Sequence, residues 1–111
     1  DRSLRPEKLD AIVDELRGRS SLSNVKLCTM VISAYSRQHR WTDALGLLAE
    51  MQLMRLDPNV ITFNAAISAC EKGTEWQQAV ALLETMQRNS LEPDVISYSA
   101  AMSACEKKKE W

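Results

Sequence analysis

Apolar residues along this chain recur at helical spacing. Between residues 62 and 72, Phe63, Ala66, Ile67 and Cys70 fall at i, i+3, i+4 and i+7, one face of a helix. Lys72 and Gly73 then predict its end, with the glycine supplying a left-handed C-terminal residue. Thr74 and Gln77 have capping-box spacing, so a second helix is expected to begin there. Its buried stripe would be Trp76, Ala79, Val80, Leu83 and Met86, with Glu84 and Arg88 on the opposite side at i and i+4. Residues 89–94, NSLEPD, read as a turn in which Pro93 blocks helical continuation.

The same outline fits residues 25–59. A first helix carries Leu27, Met30, Val31, Ala34 and Tyr35, a second carries Trp41, Ala44, Leu45, Leu47, Leu48 and Met51, and the loop is RLDPN. The methionines fall mostly on such stripes and read as core. This recurrence is an internal repeat. VITFNAAISACEKGTEW at 60–76 returns as VISYSAAMSACEKKKEW at 95–111, with 11 of 17 positions identical. Trp41, Trp76 and Trp111 keep one interval of 35 residues, as do Val25, Val60 and Val95, and Ala34, Ala69 and Ala104. Such a period predicts a solenoid of stacked supersecondary units. Residues 6–24 match only a second helix: Ile12, Val13, Glu15 and Leu16 sit one period before Leu47, Leu48, Glu50 and Met51. The expected organisation is a second-helix half at 1–24, whole units at 25–59 and 60–94, and a first-helix half at 95–111. The chain opens at Asp1 and closes at Trp111, and reads as a piece of a longer protein.

Composition adds exclusions. Aromatics are 5% of the 111 residues, Gly and Pro number three each, and the remainder favours helix over strand. No apolar run is long enough to span a bilayer. The formal charge is -1, so any nucleic-acid role must rest on where charge is placed. There is no CxxC, and His39 is the one histidine, so metal-ligand spacing is absent and no metal or cofactor is expected. His39, in a turn, reads as a surface residue. Cys28, Cys70 and Cys105 do not read as a disulfide framework, and Cys70 and Cys105, one period apart, read as small buried thiols. No Gly-rich phosphate loop occurs. Lys107, Lys108 and Lys109 read either as a solvated helix end near the C-terminal dipole or as phosphate attraction.

Two polar series follow the same step. Thr29, Asn64 and Ser99 share one position and interrupt otherwise apolar helix starts, so they are less readily dismissed; the bland account is a solvated face. Asn24, Asn59 and Asp94 stand just before those helices, where Asn and Asp serve as N-caps or turn formers.

The tetratricopeptide type places its tryptophan in the first helix at period 34. Here the tryptophan opens the second helix. The V-I-T-F-N opening, the A-A-I-S-A-C that follows, the A-x-x-L-L-x-x-M second helix and the L-x-P-D close resemble the pentatricopeptide repeat instead. The resemblance covers nearly all of 25–111 and departs most at VKLCT, residues 25–29. It implies an all-α, right-handed α-solenoid whose first helices line a groove for single-stranded RNA, one base per repeat. It also implies that the fifth and last residues of a repeat read the base edge while the second packs on base faces. Carried over, Asn64 and Asp94 read with Ile61 packing, and Thr29 and Asn59 read with Lys26 in the packing place. Ser99 and Ile96 belong to the last half repeat, and Asn24 closes a repeat whose first helix is missing. The family's rule implies uracil, then cytosine, for Asn64/Asp94 and adenine for Thr29/Asn59. Lys26 departs from the usual apolar packing residue and suits phosphate. The roles implied are processing, editing, stability or translation of transcripts in a chloroplast or mitochondrion, with no membrane partner. The alternatives are an α-solenoid scaffold that binds protein and the non-catalytic recognition arm of a multidomain nuclease.

A hairpin this short cannot bury its apolar side alone and relies on its neighbours. The isolated chain is therefore expected to be marginally stable and to self-associate weakly. Melting midpoints that rise with protein concentration would bear this out. A concentration-independent midpoint together with a monomer in ultracentrifugation would refute it.

Overall fold

In a computed structural model of the chain, which describes residues 5–18 and 24–107, every regular element is a helix. The order is α1 (Pro6–Gly18), α2 (Val25–Arg37), α3 (Trp41–Leu53), α4 (Val60–Lys72), α5 (Trp76–Arg88) and α6 (Val95–Lys107). Each is 13 residues long, hence about 20 Å. Helix α4 follows α2, and α6 follows α4, at the interval of 35 that the sequence shows. The molecule measures 43 × 35 × 18 Å, and its thin dimension admits two layers of helices. The first helices α2, α4 and α6 lie side by side, with α3 packed on α2 and α4 and α5 packed on α4 and α6. This is the all-α hairpin solenoid expected from the period.

Small side chains set the approach of the first helices. Cys28, Ala66, Ala69, Cys70 and Ala104 are fully buried, and Phe63, Ile32, Ile67, Met51 and Met86 fill the space between the layers. Helix α1 contributes Leu9 and Val13 to this core. It is tied to the next hairpin by Arg17 on Glu50 at 2.7 Å and Arg40 on Asp10 at 2.7 Å. These pairs are partly exposed, and each contributes about 0–1 kcal/mol. No helix among the described residues is long and apolar enough to cross a membrane.

Burial differs from the expected stripes on α5, where Ala79 and Met86 are buried but Trp76, Val80 and Leu83 only half-buried, and on α2. Helix α2 buries Cys28, Val31, Ile32 and Tyr35, whereas Met30 is 57% exposed. A helix packed against both α3 and α4 buries a wider arc than one stripe, and Met30 falls outside that arc. Met54 and Met102 are exposed too, so only Met51 and Met86 are core methionines. Cys28 and Cys70 are buried free thiols, and burial pushes the Cys70 thiol up to about 12. Cys105 is only half-buried, because α6 is the last described helix and carries no helix over that side.

The helix ends revise two further expectations. Gly73 is the C-cap residue of α4 at φ -87, and the left-handed residue is the next one, Thr74, at φ 56. His39, Arg55 and Ser90 are equivalent, at φ 60, 62 and 63. Each is followed by a backbone N–H that closes on the helix it ends: Arg40 on Tyr35, Leu56 on Met51, Glu75 on Cys70 and Leu91 on Met86, at 2.8–2.9 Å. These are Schellman closures made without glycine. Glycine stands at 73 for a different reason. A Cβ there would lie 2.6 Å from Cδ1 of Trp41, the residue that opens the preceding second helix. Nor do Thr74 and Gln77 form a capping box. The N-cap of α5 is Glu75, without a side-chain cap bond, and the Thr74 hydroxyl donates to the Gly73 carbonyl at 2.6 Å.

Two substitutions should therefore move stability in opposite directions. Gly73→Ala forces the Trp41 ring aside and is expected to cost about 1–3 kcal/mol. Ser90→Gly relieves an exposed left-handed residue and should gain about 0.5 kcal/mol, the relief exceeding the added backbone entropy of glycine. Urea unfolding of the two variants measures both.

Candidate functional site

The polar series converge at the N-terminal ends of the first helices. Asn24, Asn59 and Asp94 are N-caps, and that role is fully realised. Asn24 Oδ1 accepts the backbone N–H of Lys26 at 2.8 Å and of Leu27 at 3.2 Å. Asn59 Oδ1 accepts the Thr62 N–H at 2.9 Å, and the Thr62 hydroxyl takes the Asn59 N–H at 3.3 Å, a reciprocal capping box. Asp94 and Ser97 repeat this exchange at 3.0 and 3.1 Å. The helices therefore start where a short acceptor side chain replaces the missing intrahelical partner.

Two of those caps are also linked to the fifth-position residue of the unit they close, Asp94 directly and Asn59 through Thr62. Asn64 Nδ2 donates to Asp94 Oδ1 at 3.1 Å, across 30 residues of sequence. Asn64 Oδ1 accepts a short hydrogen bond from the Ser97 hydroxyl. One unit earlier, Thr29 Oγ1 lies 2.7 Å from Thr62 Oγ1, which is itself 2.9 Å from Asn59 Oδ1. Thr29 also donates to the Val25 carbonyl at 2.8 Å when its proton is turned that way. Thus Thr29 meets Asn59 through Thr62, and Asn64 meets Asp94 directly. Asn64 is 9% exposed, so it is not part of a solvated face; Thr29 is half-buried and Ser99 is exposed on α6. The three occupy one position on three first helices, of which α4 packs against both α2 and α6.

Around the pairs lie the second-position residues. Lys26, Thr29, Met30, Arg37, Asn59 and Ile61 border one surface depression. Ile61 and Ile96 are 68% and 62% exposed at the same helix position as Lys26. Singly exposed apolar residues are ordinary, and Leu53, Val95 and Met102 are as exposed; what marks Ile61 and Ile96 is their recurrence one period apart. A further row was not singled out from the sequence, although the same step reveals it: Arg37, Lys72 and Lys107 are the last residues of α2, α4 and α6. Lys107 pairs with Glu71, whose carboxylate also accepts from the Ser103 hydroxyl at 3.3 Å. Lys108 and Lys109 lie outside the described residues. His39 is exposed, as expected of a turn residue. Among the described residues no group of His, Cys, Asp and Glu is placed to hold a metal ion.

The sequence pattern of the PPR repeat family matches residues 23–72 and 58–107. The chain belongs to the PPR repeat family. Its two matched stretches span α2 to α6, so the paired residues sit within family repeats rather than beside them. PPR repeat proteins generally bind RNA, are generally not enzymes and are commonly organellar. A comparison with curated proteins gives no match.

Electrostatics distinguish the two pairs. The backbone N–H of Ser97 holds the Asp94 carboxyl below its ordinary range, aided by the Asn64 amide and the Ser97 hydroxyl and opposed by desolvation. The folded chain therefore binds that proton more weakly than the unfolded chain. The stabilisation is complete above the ordinary carboxylate value and is lost as pH falls through the lower folded value, a window below about pH 4. Asp94→Asn keeps the cap without the charge. It should lose less stability on acidification than the natural chain, as read from melting midpoints across that window.

Proposed function

We propose that this chain binds single-stranded RNA in sequence-specific fashion, one base to each 35-residue unit. The units would be 25–59 and 60–94, flanked by the second-helix half at 1–24 and the first-helix half at 95–111. The observation that carries the reading is the pairing of Asn64 with Asp94 at 3.1 Å, matched by the link from Thr29 to Asn59 through Thr62. Two side chains from different helices present their remaining polar atoms together. That is what recognition of an unstacked base edge requires. Ile61 and Ile96 supply apolar surfaces for the base faces on either side of Asn64/Asp94. Lys26 replaces one such surface beside Thr29/Asn59 and would contact a phosphate, as would Arg37 and Lys72 further along the same helices. Ser99 and Ile96 would serve a further base in the half repeat 95–111, without its closing residue.

Under the family's rule these pairs favour adenine at Thr29/Asn59 and uracil at Asn64/Asp94, in that order from 5′ to 3′. The setting we propose is support of organellar transcripts, by processing, editing, stability or translation, in a chloroplast or mitochondrion. The chain would act there as a binding module. Polar pairs between exposed isoleucines, with cations at the far end of each helix, favour RNA over a peptide partner, for which an apolar or acidic groove would be expected.

Stacking contributes roughly 1–3 kcal/mol per base against an association cost of about 4–15 kcal/mol. Two or three bases nearly balance that cost, so the chain alone should bind short RNA no more tightly than micromolar. A sub-micromolar dissociation constant at physiological salt would contradict the reading. Selection of bound RNAs from a random pool tests the specificity. Asn64→Thr should move the preferred base at that register from uracil toward guanine, and an unchanged preference would remove Asn64 from any reading role.

A further inference from the structure

Thr62 and Ser97 are polar residues with no exposed surface, one period apart at the third position of α4 and α6. A cap needs only the backbone N–H at this position. Each of these hydroxyls does more: it also meets the fifth-position residue of the preceding helix. Building on the proposed RNA reading, we infer that Thr62 and Ser97 are specificity-determining positioning residues: their hydroxyls fix which donors and acceptors of each pair remain free for the base.

The argument is a count of protons. At the second pair, Asp94 is an acceptor only, so the Asn64 amide turns its nitrogen toward it. Asn64 Oδ1 then needs a donor, and the Ser97 hydroxyl has one proton to give. Ser97 Oγ in turn accepts the Asp94 N–H at 3.1 Å. The Ser97 hydroxyl also lies 3.1 Å from Asp94 Oδ1, but its contact with Asn64 Oδ1 is the shorter of the two, and a proton placed there closes the ring. What remains outside it is one N–H of Asn64 beside the unused lone pairs of Asp94. A donor next to an acceptor complements uracil, which offers a carbonyl oxygen next to a ring N–H.

At the first pair the polarity reverses. The single proton of Thr29 goes either to the Val25 carbonyl at 2.8 Å or to Thr62 at 2.7 Å. In both cases Thr29 offers the groove a lone pair. Asn59 Oδ1 is held by the Thr62 N–H and lies 2.9 Å from its hydroxyl, so the amide nitrogen faces outward. An acceptor next to donors complements adenine, which offers an amino group next to a ring nitrogen. Leu27 occupies the equivalent position on α2. It has no hydroxyl, and among the described residues Asn24 Oδ1 accepts the backbone N–H groups of Lys26 and Leu27.

The test uses the 111-residue chain and two cytidine-rich heptamer RNAs, CCCAUCC and CCCACCC, titrated at up to millimolar concentration by NMR. Uracil and cytosine have the same size and opposite edge polarity, so their ratio reads the orientation of the pair. Ser97→Ala should lower the uracil-over-cytosine ratio at least about threefold, the scale of one hydrogen bond. It should also speed solvent exchange of the Asn64 side-chain amide, which keeps its bond to Asp94 but loses its second anchor at Oδ1. Ser97→Thr, which keeps the hydroxyl as Thr62 does, should retain the ratio and the exchange rate of the natural chain. Equal weakening of both RNAs, an unchanged ratio, or unchanged exchange of the Asn64 amide in Ser97→Ala would overturn the inference and leave Ser97 as a cap. If Asn64→Thr also leaves base preference unmoved, or neither heptamer binds, the RNA-reading proposal itself falls.

Discussion

Three short helices, α2, α4 and α6, lie against one another through alanine and cysteine side chains, and the geometry of the rest follows from that contact. A 13-residue helix in water is marginal by itself. It becomes stable here because its neighbour is close enough to exclude water from Phe63, Ile67 and the backbone between them. The same closeness brings the start of α4 within hydrogen-bonding reach of α2, and the start of α6 within reach of α4. Hydroxyls at 62 and 97 could not span a wider gap. Larger residues at 66, 69 or 104 would push the helices apart and break the polar links before disturbing the fold class.

Helix number and spacing were legible because a repeated pattern is read more than once. Any single stretch of apolar residues is ambiguous, but three tryptophans at one interval are not. The burial of individual faces was less legible. Met30 sits where a simple stripe would bury it, yet α2 packs on α3 and α4 and leaves it in solvent. One-dimensional periodicity carries no information about the direction of a second neighbour. The turns misled in a related way. Gly73 resembles a left-handed cap residue by composition, but its smallness serves a tryptophan 32 positions earlier in sequence.

The candidate site divides along the same line. That Thr29, Asn64, Asn59 and Asp94 share positions was visible in the repeat. That they are joined was not, because the joining residues, Thr62 and Ser97, look like ordinary helix-start residues. Their second contact belongs to a different helix. The basic row of Arg37, Lys72 and Lys107 was equally accessible to counting at one interval.

Capping is unequal between the layers. Asn24, Asn59 and Asp94 secure the first turns of α2, α4 and α6, whereas Arg40 and Glu75 give α3 and α5 no side-chain bond. Local opening will start where the first turn is least secured. The outer layer can therefore breathe at Trp41 and Trp76 while the inner wall keeps its shape. Slow amides along one layer and fast ones at the leading edge of the other would be the signature of a scaffold whose rigidity is distributed unevenly.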